Sequence, residues 1–181
     1  MPDLQPTIRL AEEMGEGLGE HQMKPITFVC KATLPLAPED IANQILDVAK
    51  WPDFLGYGPI PGIKTAEFEI RTANIVGSRI RVTNLDGSTH AEEIVEWQPD
   101  QRLQLQMQDF SPPLSRLATG FIETWEFQRV GNDTKVLRSF EMNAKSIAAW
   151  PVLWLISIIL KRAIARHLNE IGHTPKAAKE Q

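Results

Sequence analysis

A chain of 181 residues that is 43% hydrophobic and 23% charged is long enough for one domain with a real core and has an ordinary globular balance. Its formal net charge of −4 excludes a dedicated nucleic-acid binder, which would show a basic face. Its single cysteine, Cys30, excludes an intrachain disulfide.

Residues 1–24 mix glycine, glutamate and proline without a sustained period, which predicts a flexible arm. Within it IRLAEEM, from Ile8 to Met14, has the composition for one or two helical turns. GEGLGE follows no strand and carries two glutamates that repel an anion, so it is no phosphate loop. The arm has neither the positive start nor the apolar stretch of a secretory signal, and a cytoplasmic location is expected.

ITFVCKAT, from Ile26 to Thr33, reads as a strand, with Cys30 as buried filler rather than a nucleophile. Pro35 and Pro38 end it, and Glu39 and Asp40 suit the N-terminus of a helix. Ile41, Ile45 and Val48 recur at helical spacing, with Leu46 beside them, until Trp51-Pro52 stops the run. Gly56, Gly58, Pro59, Pro61 and Gly62 then hold a rigid loop in which Tyr57 is placed to guard an entrance.

From Ile63 to Lys145 every segment reads as strand. Ala66, Phe68 and Ile70 alternate with Glu67, Glu69 and Arg71, and Ile80 and Val82 alternate with Arg79, Arg81 and Thr83. Asp86-Gly87 suits a two-residue hairpin turn. Pairing Leu85 with Ser88 sets Val82 opposite Ala91, Ile80 opposite Glu93 and Arg81 opposite Glu92. That register sends Glu93, Val95 and Trp97 inward and His90 and Glu92 outward. A turn at Pro99-Asp100 sets Trp97 opposite Leu103 and Val95 opposite Leu105. Leu103, Leu105 and Met107 therefore face inward with Asp109 continuing their row, while Gln104, Gln106 and Gln108 face out. Phe121, Glu123, Trp125 and Phe127 share the next inner face. After a turn at Gly131-Asn132, Val136, Arg138, Phe140 and Met142 return on the same side.

The uncharged run from Ile147 to Leu160 spans fourteen residues, about 21 Å of helix against a hydrocarbon core of about 30 Å. A buried helix to Ile171 is expected instead of a membrane span. Its inner stripe is Leu153, Ile156, Leu160, Ile164, Leu168 and Ile171. Trp154 and Ile158 fall on the outer side, where they offer contact to a membrane surface or a protein partner. The domain is read as 25–172, and residues 173–181 as a polar tail.

One strand, two short helices, Trp51-Pro52, a Gly/Pro turn, six more strands and a long helix form an order that resembles the START-like (SRPBCC, polyketide cyclase/dehydrase and lipid transport) superfamily. The resemblance covers about Ile26 to Gly172. It implies an α+β helix-grip fold, a seven-stranded antiparallel sheet wrapped around the C-terminal helix with a cavity between them. It also implies non-covalent binding or transport of an apolar small molecule such as a lipid, isoprenoid, polyketide or aromatic metabolite, with no cofactor. Two other functions occur in the same superfamily: aromatase/cyclase or dehydratase enzymes, and co-chaperones that activate the Hsp90 ATPase.

The expected cavity lining combines Tyr57, Phe68, Ile80, Val82, Val95, Trp97, Leu105, Met107, Phe121, Trp125, Phe140, Leu153 and Ile156 with the charged Glu93, Asp109, Glu123 and Arg138. An isolated charge on an apolar face costs several kcal/mol unless paired or wet. Four inward charges therefore imply a neutralising network or a hydrated space. Pairing Arg129 with Thr134 brings Trp125 beside Arg138, where the guanidinium stacks on the ring. Glu123 and Arg138 read as a structural ion pair, as a ligand anchor, or as base and enolate stabiliser, with Glu93 the alternative base. Asp109 reads as a hydrated group at the mouth. His21, His90, His167 and His173 lack metal-site spacing, and no Gly-x-Ser-x-Gly elbow, P-loop or Rossmann fingerprint occurs.

Overall fold

The computed structural model describes residues 23–173. The predicted arm up to residue 22, with IRLAEEM and GEGLGE, and the tail from 174 lie outside the described residues.

Strand β1 (Ile26–Leu34) alternates buried and exposed residues, with Ile26, Phe28, Cys30 and Leu34 inward. Helix α1 (Pro38–Leu46) follows, with Pro38 at its start, where a missing amide donor is harmless, and Glu39 and Asp40 in its first turn. A 3-10 helix at Val48–Asp53 carries Pro52. Trp51 fastens it to α1 by donating its indole N–H to the Ile45 carbonyl at 2.9 Å. The small hairpin of β2 (Gly56–Tyr57) and β3 (Ile60–Pro61) comes next. A Cβ on Gly56 would lie 2.3 Å from the Ile60 oxygen, so the hairpin closes only around glycine.

Six strands complete the sheet: β4 (Ile63–Ile70), β5 (Arg79–Asn84), β6 (Thr89–Gln98), β7 (Arg102–Gln108), β8 (Ala118–Val130) and β9 (Asp133–Ala144). The seven-stranded antiparallel order is β1-β9-β8-β7-β6-β5-β4. Helix α2 (Trp150–His173) lies mainly against β1 and the β2–β3 hairpin. It buries Leu153, Ala163, Ile164 and Leu168, with Ile156, Leu160 and Ile171 half-buried on the same core. Phe28 and Phe140 stack at 5.0 Å between ring centroids, and each large apolar side chain so buried contributes about 1.5–3 kcal/mol. The architecture is α+β, a seven-stranded antiparallel sheet and a long C-terminal helix.

The β5–β6 turn differs from the two-residue form. Asn84 N–H donates to the Ser88 carbonyl at 2.8 Å, and Gly87 N–H to the Asn84 carbonyl at 3.0 Å. The loop is therefore Leu85-Asp86-Gly87, with Gly87 at φ 84°, the three-residue hairpin that ends in a left-handed glycine. The Asp86 carboxylate accepts from both the amide and the hydroxyl of Ser88, which favours the longer loop. One added residue shifts the register, so Val82 opposes His90, Ile80 opposes Glu92 and Arg79 opposes Glu93. Glu92 and His90 consequently face inward, and Glu93 faces outward.

Two further expectations are corrected by the backbone. Val95 does not oppose Leu105. Ile94 does, and Val95 is the extra residue of a bulge that restores Trp97 opposite Leu103. Asp109 adopts φ 54° just after β7 ends. It leaves the inner row and ion-pairs with Arg79 on the outer face. The expected placing of Arg81 opposite Glu92 is lost with the register: Arg81 opposes Ala91 and bonds Glu69 at 2.7 Å on the outer face.

Candidate functional site

The middle of the inner face is polar. Register places Cys30, Arg138 and Trp125 side by side on β1, β9 and β8, with Phe28, Phe140, Glu123 and Leu105 forming the adjacent row across β1, β9, β8 and β7. Arg138 donates from Nε to the Glu123 carboxylate. Its Nη1 donates to Nδ1 of His167, on α2, at 3.2 Å. The guanidinium carbon sits 4.3 Å from the Trp125 ring centroid and 5.5 Å from that of Phe140, distances at which a cation is attracted to a ring face.

The electrostatics follow from this packing. Burial pushes the Glu123 carboxyl above its ordinary range; Arg138 pulls against it, and the Glu92 charge adds to it. Burial, and after it the neighbouring Arg138 guanidinium, lower His167 to about 4, against a smaller upward pull from Glu170. His167 is thus neutral near pH 7. Because Arg138 can only donate, Nδ1 is the acceptor and Nε2 carries the proton. Burial raises the Cys30 thiol, whose Sγ donates to the Lys161 carbonyl at 3.5 Å. It stays protonated and acts as packing.

A second polar pair lies further along the same face. His90 Nε2 is 3.0 Å from the Glu92 carboxylate, both side chains largely shielded from solvent. The His90 ring meets Phe110 at 5.9 Å, and Phe110 meets Phe121 at 4.8 Å.

Between Phe54-Leu55-Gly56 and the C-terminal half of α2 is a cleft lined also by Ala163, Arg166, His167 and Glu170. Its volume is about 10 Å³, room for roughly one water. Phe54 meets the His167 ring edge-on at 5.5 Å. His167 therefore touches the cleft on one side and Arg138 on the other.

The structure gathers Glu123, Trp125, Arg138 and Phe140 into one cluster. Ile80, Val82, Leu105, Phe121 and Leu153 are buried in the surrounding core, and Phe68, Trp97, Met107 and Ile156 are half-buried against it. Tyr57 is exposed on the hairpin and does not line the cleft. Glu93 is outside the cluster, accepting from Gln108 Nε2 at 3.3 Å on the outer face. Asp109 is outside it too, and Val95 is displaced by its bulge. The sequence reading missed His167, Glu92 and His90. His167 had a signal: it follows Ile164 by three positions and Leu160 by seven, on the buried side of the helix. Among the described residues no three His, Cys, Asp or Glu side chains converge as metal ligands. Among them, too, no helix is long and apolar enough to cross a membrane.

No protein-family model and no curated protein matches this sequence. Solved structures do. The chain is similar to truncated norcoclaurine synthase from Thalictrum flavum, at TM-score 0.60 and 18% identity, covering 86% of this chain and 99% of that one. It is similar to a START superfamily protein from Mycobacterium smegmatis, at TM-score 0.57 and 12% identity, covering 80% and 98%. A protein from Thermus thermophilus gives TM-score 0.61 and 15% identity, covering 81% and 94%. At these identities the likeness establishes the fold, which is the START-like helix grip.

Proposed function

We propose that the protein binds, without covalent chemistry, an apolar small molecule between the sheet and α2, with Arg138 meeting its polar group. The observation that carries this reading is a buried guanidinium in the centre of an apolar face, one side chain behind a cleft. Stability alone gives little reason for it, since a buried ion pair is often matched or bettered by apolar packing of equal volume. The ligand class is a lipid, isoprenoid, polyketide or aromatic metabolite. A START superfamily protein has the same fold, in line with a ligand held between sheet and helix. Native mass spectrometry of the purified full chain and titration with a fluorescent fatty acid test the reading. A retained apolar mass or saturable micromolar uptake, weakened by His167→Phe, is expected. No retained mass and no uptake would overturn it.

A separate observation favours a second reading, acid–base catalysis of the cyclase or dehydratase kind. The inner face holds the His90–Glu92 pair and a Glu123 carboxyl of raised affinity for protons, and a norcoclaurine synthase has the same fold. Glu92, oriented by His90, takes a proton from carbon beside a carbonyl while Arg138 stabilises the enolate oxygen. Exchange of the α-protons of a bound ketone probe with deuterated solvent, followed by NMR, is the measurement. Exchange unchanged by Glu92→Gln and Glu123→Gln removes this reading.

A further inference from the structure

The first three turns of α2 present an apolar face to solvent. Trp150, Val152, Trp154 and Leu155 are 37–55% exposed, and Ile147, just before the helix, is 81% exposed. The opposite side of the same turns buries Leu153 and packs Ile156 and Leu160 on the core. The helix is therefore already seated, and its far side is apolar as well. Ile158, expected on this face, is only half-exposed.

Charge along the helix has one sign. Between Glu141 and Glu170 there is no acidic residue, whereas Lys145, Lys161, Arg162 and Arg166 are present, in a chain of formal net charge −4. All four are exposed, although Arg166 is held by Glu170 at 2.8 Å. Cations flanking an apolar patch with two tryptophans match a bilayer surface: indoles settle at the headgroup level, and lysine and arginine meet anionic phosphates. A second copy of the chain would bring the same cations to the contact and gain no such complementarity. The length fits a helix lying on a membrane, because Trp150 to Leu160 extends about 16 Å against a core of about 30 Å.

We infer that this face docks the protein on an anionic lipid bilayer, with Trp150, Trp154 and Leu155 entering the acyl boundary and Lys161 and Arg162 meeting the headgroups. The inference does not depend on the proposed ligand.

Flotation of the full chain with phosphatidylcholine vesicles, with and without phosphatidylglycerol, tests it. The chain should float with the anionic vesicles, and its tryptophan emission should shift to the blue. Trp154→Ser/Leu155→Ser should abolish most of the binding while leaving the thermal midpoint unchanged, since both side chains face outward. Lys161→Gln/Arg162→Gln should weaken binding about tenfold or more. Equal flotation with both vesicle types overturns the proposal, as does binding indifferent to either double substitution. So does an unfloated full chain, whether sedimentation velocity then shows a monomer or a dimer.

Discussion

Arg138 offers only donors, and its neighbours Glu123, His167 and Trp125 are arranged around that guanidinium. Truncating it leaves the Glu123 carboxyl buried without its cation, with only the Trp125 side-chain hydrogen bond remaining beside it. Arg138→Ala should cost about 3–5 kcal/mol in urea unfolding, and Arg81→Ala, on the outer face, no more than about 1 kcal/mol. Equal midpoints for the two variants would mean that the pair has no energetic role. His167 adds a pH dependence. Its folded pKa of about 4 lies below the ordinary histidine value of 6.5, so the unfolded chain binds the extra proton between those values. Stability contributed by the neutral ring is complete above about pH 6.5 and falls as pH drops toward 4, by at most about 3 kcal/mol. Glu123, raised by burial, acts with the opposite sign and favours the folded state as pH falls from above the carboxylate range. His167→Gln keeps an acceptor for Arg138 and removes the titration. Its stability should therefore lose the decline between pH 6.5 and 4 that the parent shows in thermal melts, and an identical decline in both would refute the assignment.

At the scale of elements, turns decide which side chains reach the site. The Arg129–Thr134 pairing is legible in the sequence because Gly131-Asn132 leaves little choice, and it carries Trp125 opposite Arg138 as read. The β5–β6 turn is less legible. Asp86-Gly87 serves a two-residue and a three-residue loop equally, and the choice rests on the Ser88 bonds to Asp86, which act only once the chain has turned. One residue there exchanges Glu93 for Glu92 and brings His90 inside. The Val95 bulge then cancels the shift, which is why Trp97, Leu103, Leu105 and Met107, with the inner rows of β8 and β9, fall on the expected side, Asp109 alone turning out of its row. Alternation alone cannot reveal two compensating slips. Glu92→Ala should therefore cost about 1–3 kcal/mol by leaving His90 without its partner, and Glu93→Ala no more than about 0.5 kcal/mol. The reverse order of denaturant midpoints would restore the shorter turn. Gly87→Ala should cost about 1–2 kcal/mol for its left-handed backbone. Gly56→Ala should cost more, because its Cβ meets the backbone of the facing strand.

The whole molecule is closed around the place where the ligand is proposed to sit. A drug-sized ligand occupies a pocket of about 300–1,000 Å³, against about 10 Å³ in the cleft beside His167. Binding must therefore separate α2 from the segment that covers it. That segment is weakly tied: Ile63 N–H to the Phe54 carbonyl at 3.0 Å and Leu85 N–H to the Gly62 carbonyl at 2.8 Å hold its end to the sheet. By contrast, β8 and β9 are joined along almost their full lengths. The weaker ties should give way first, in an opening that leaves the sheet intact. Native-state hydrogen exchange in the free protein should show amides from Phe54 to Ile63, and those of α2 near His167, exchanging well before those of β8 and β9. Saturation with an apolar ligand at a hundred times its Kd should raise global stability by about 2.7 kcal/mol. It should also slow the early group until its exchange approaches that of the sheet, because the bound state fills the gap through which it opened. If both groups exchange together in the free protein, and ligand slows them alike, α2 and the hairpin do not part separately from the sheet. The route past His167 would then be wrong, and access would have to come through global unfolding or another face of the grip.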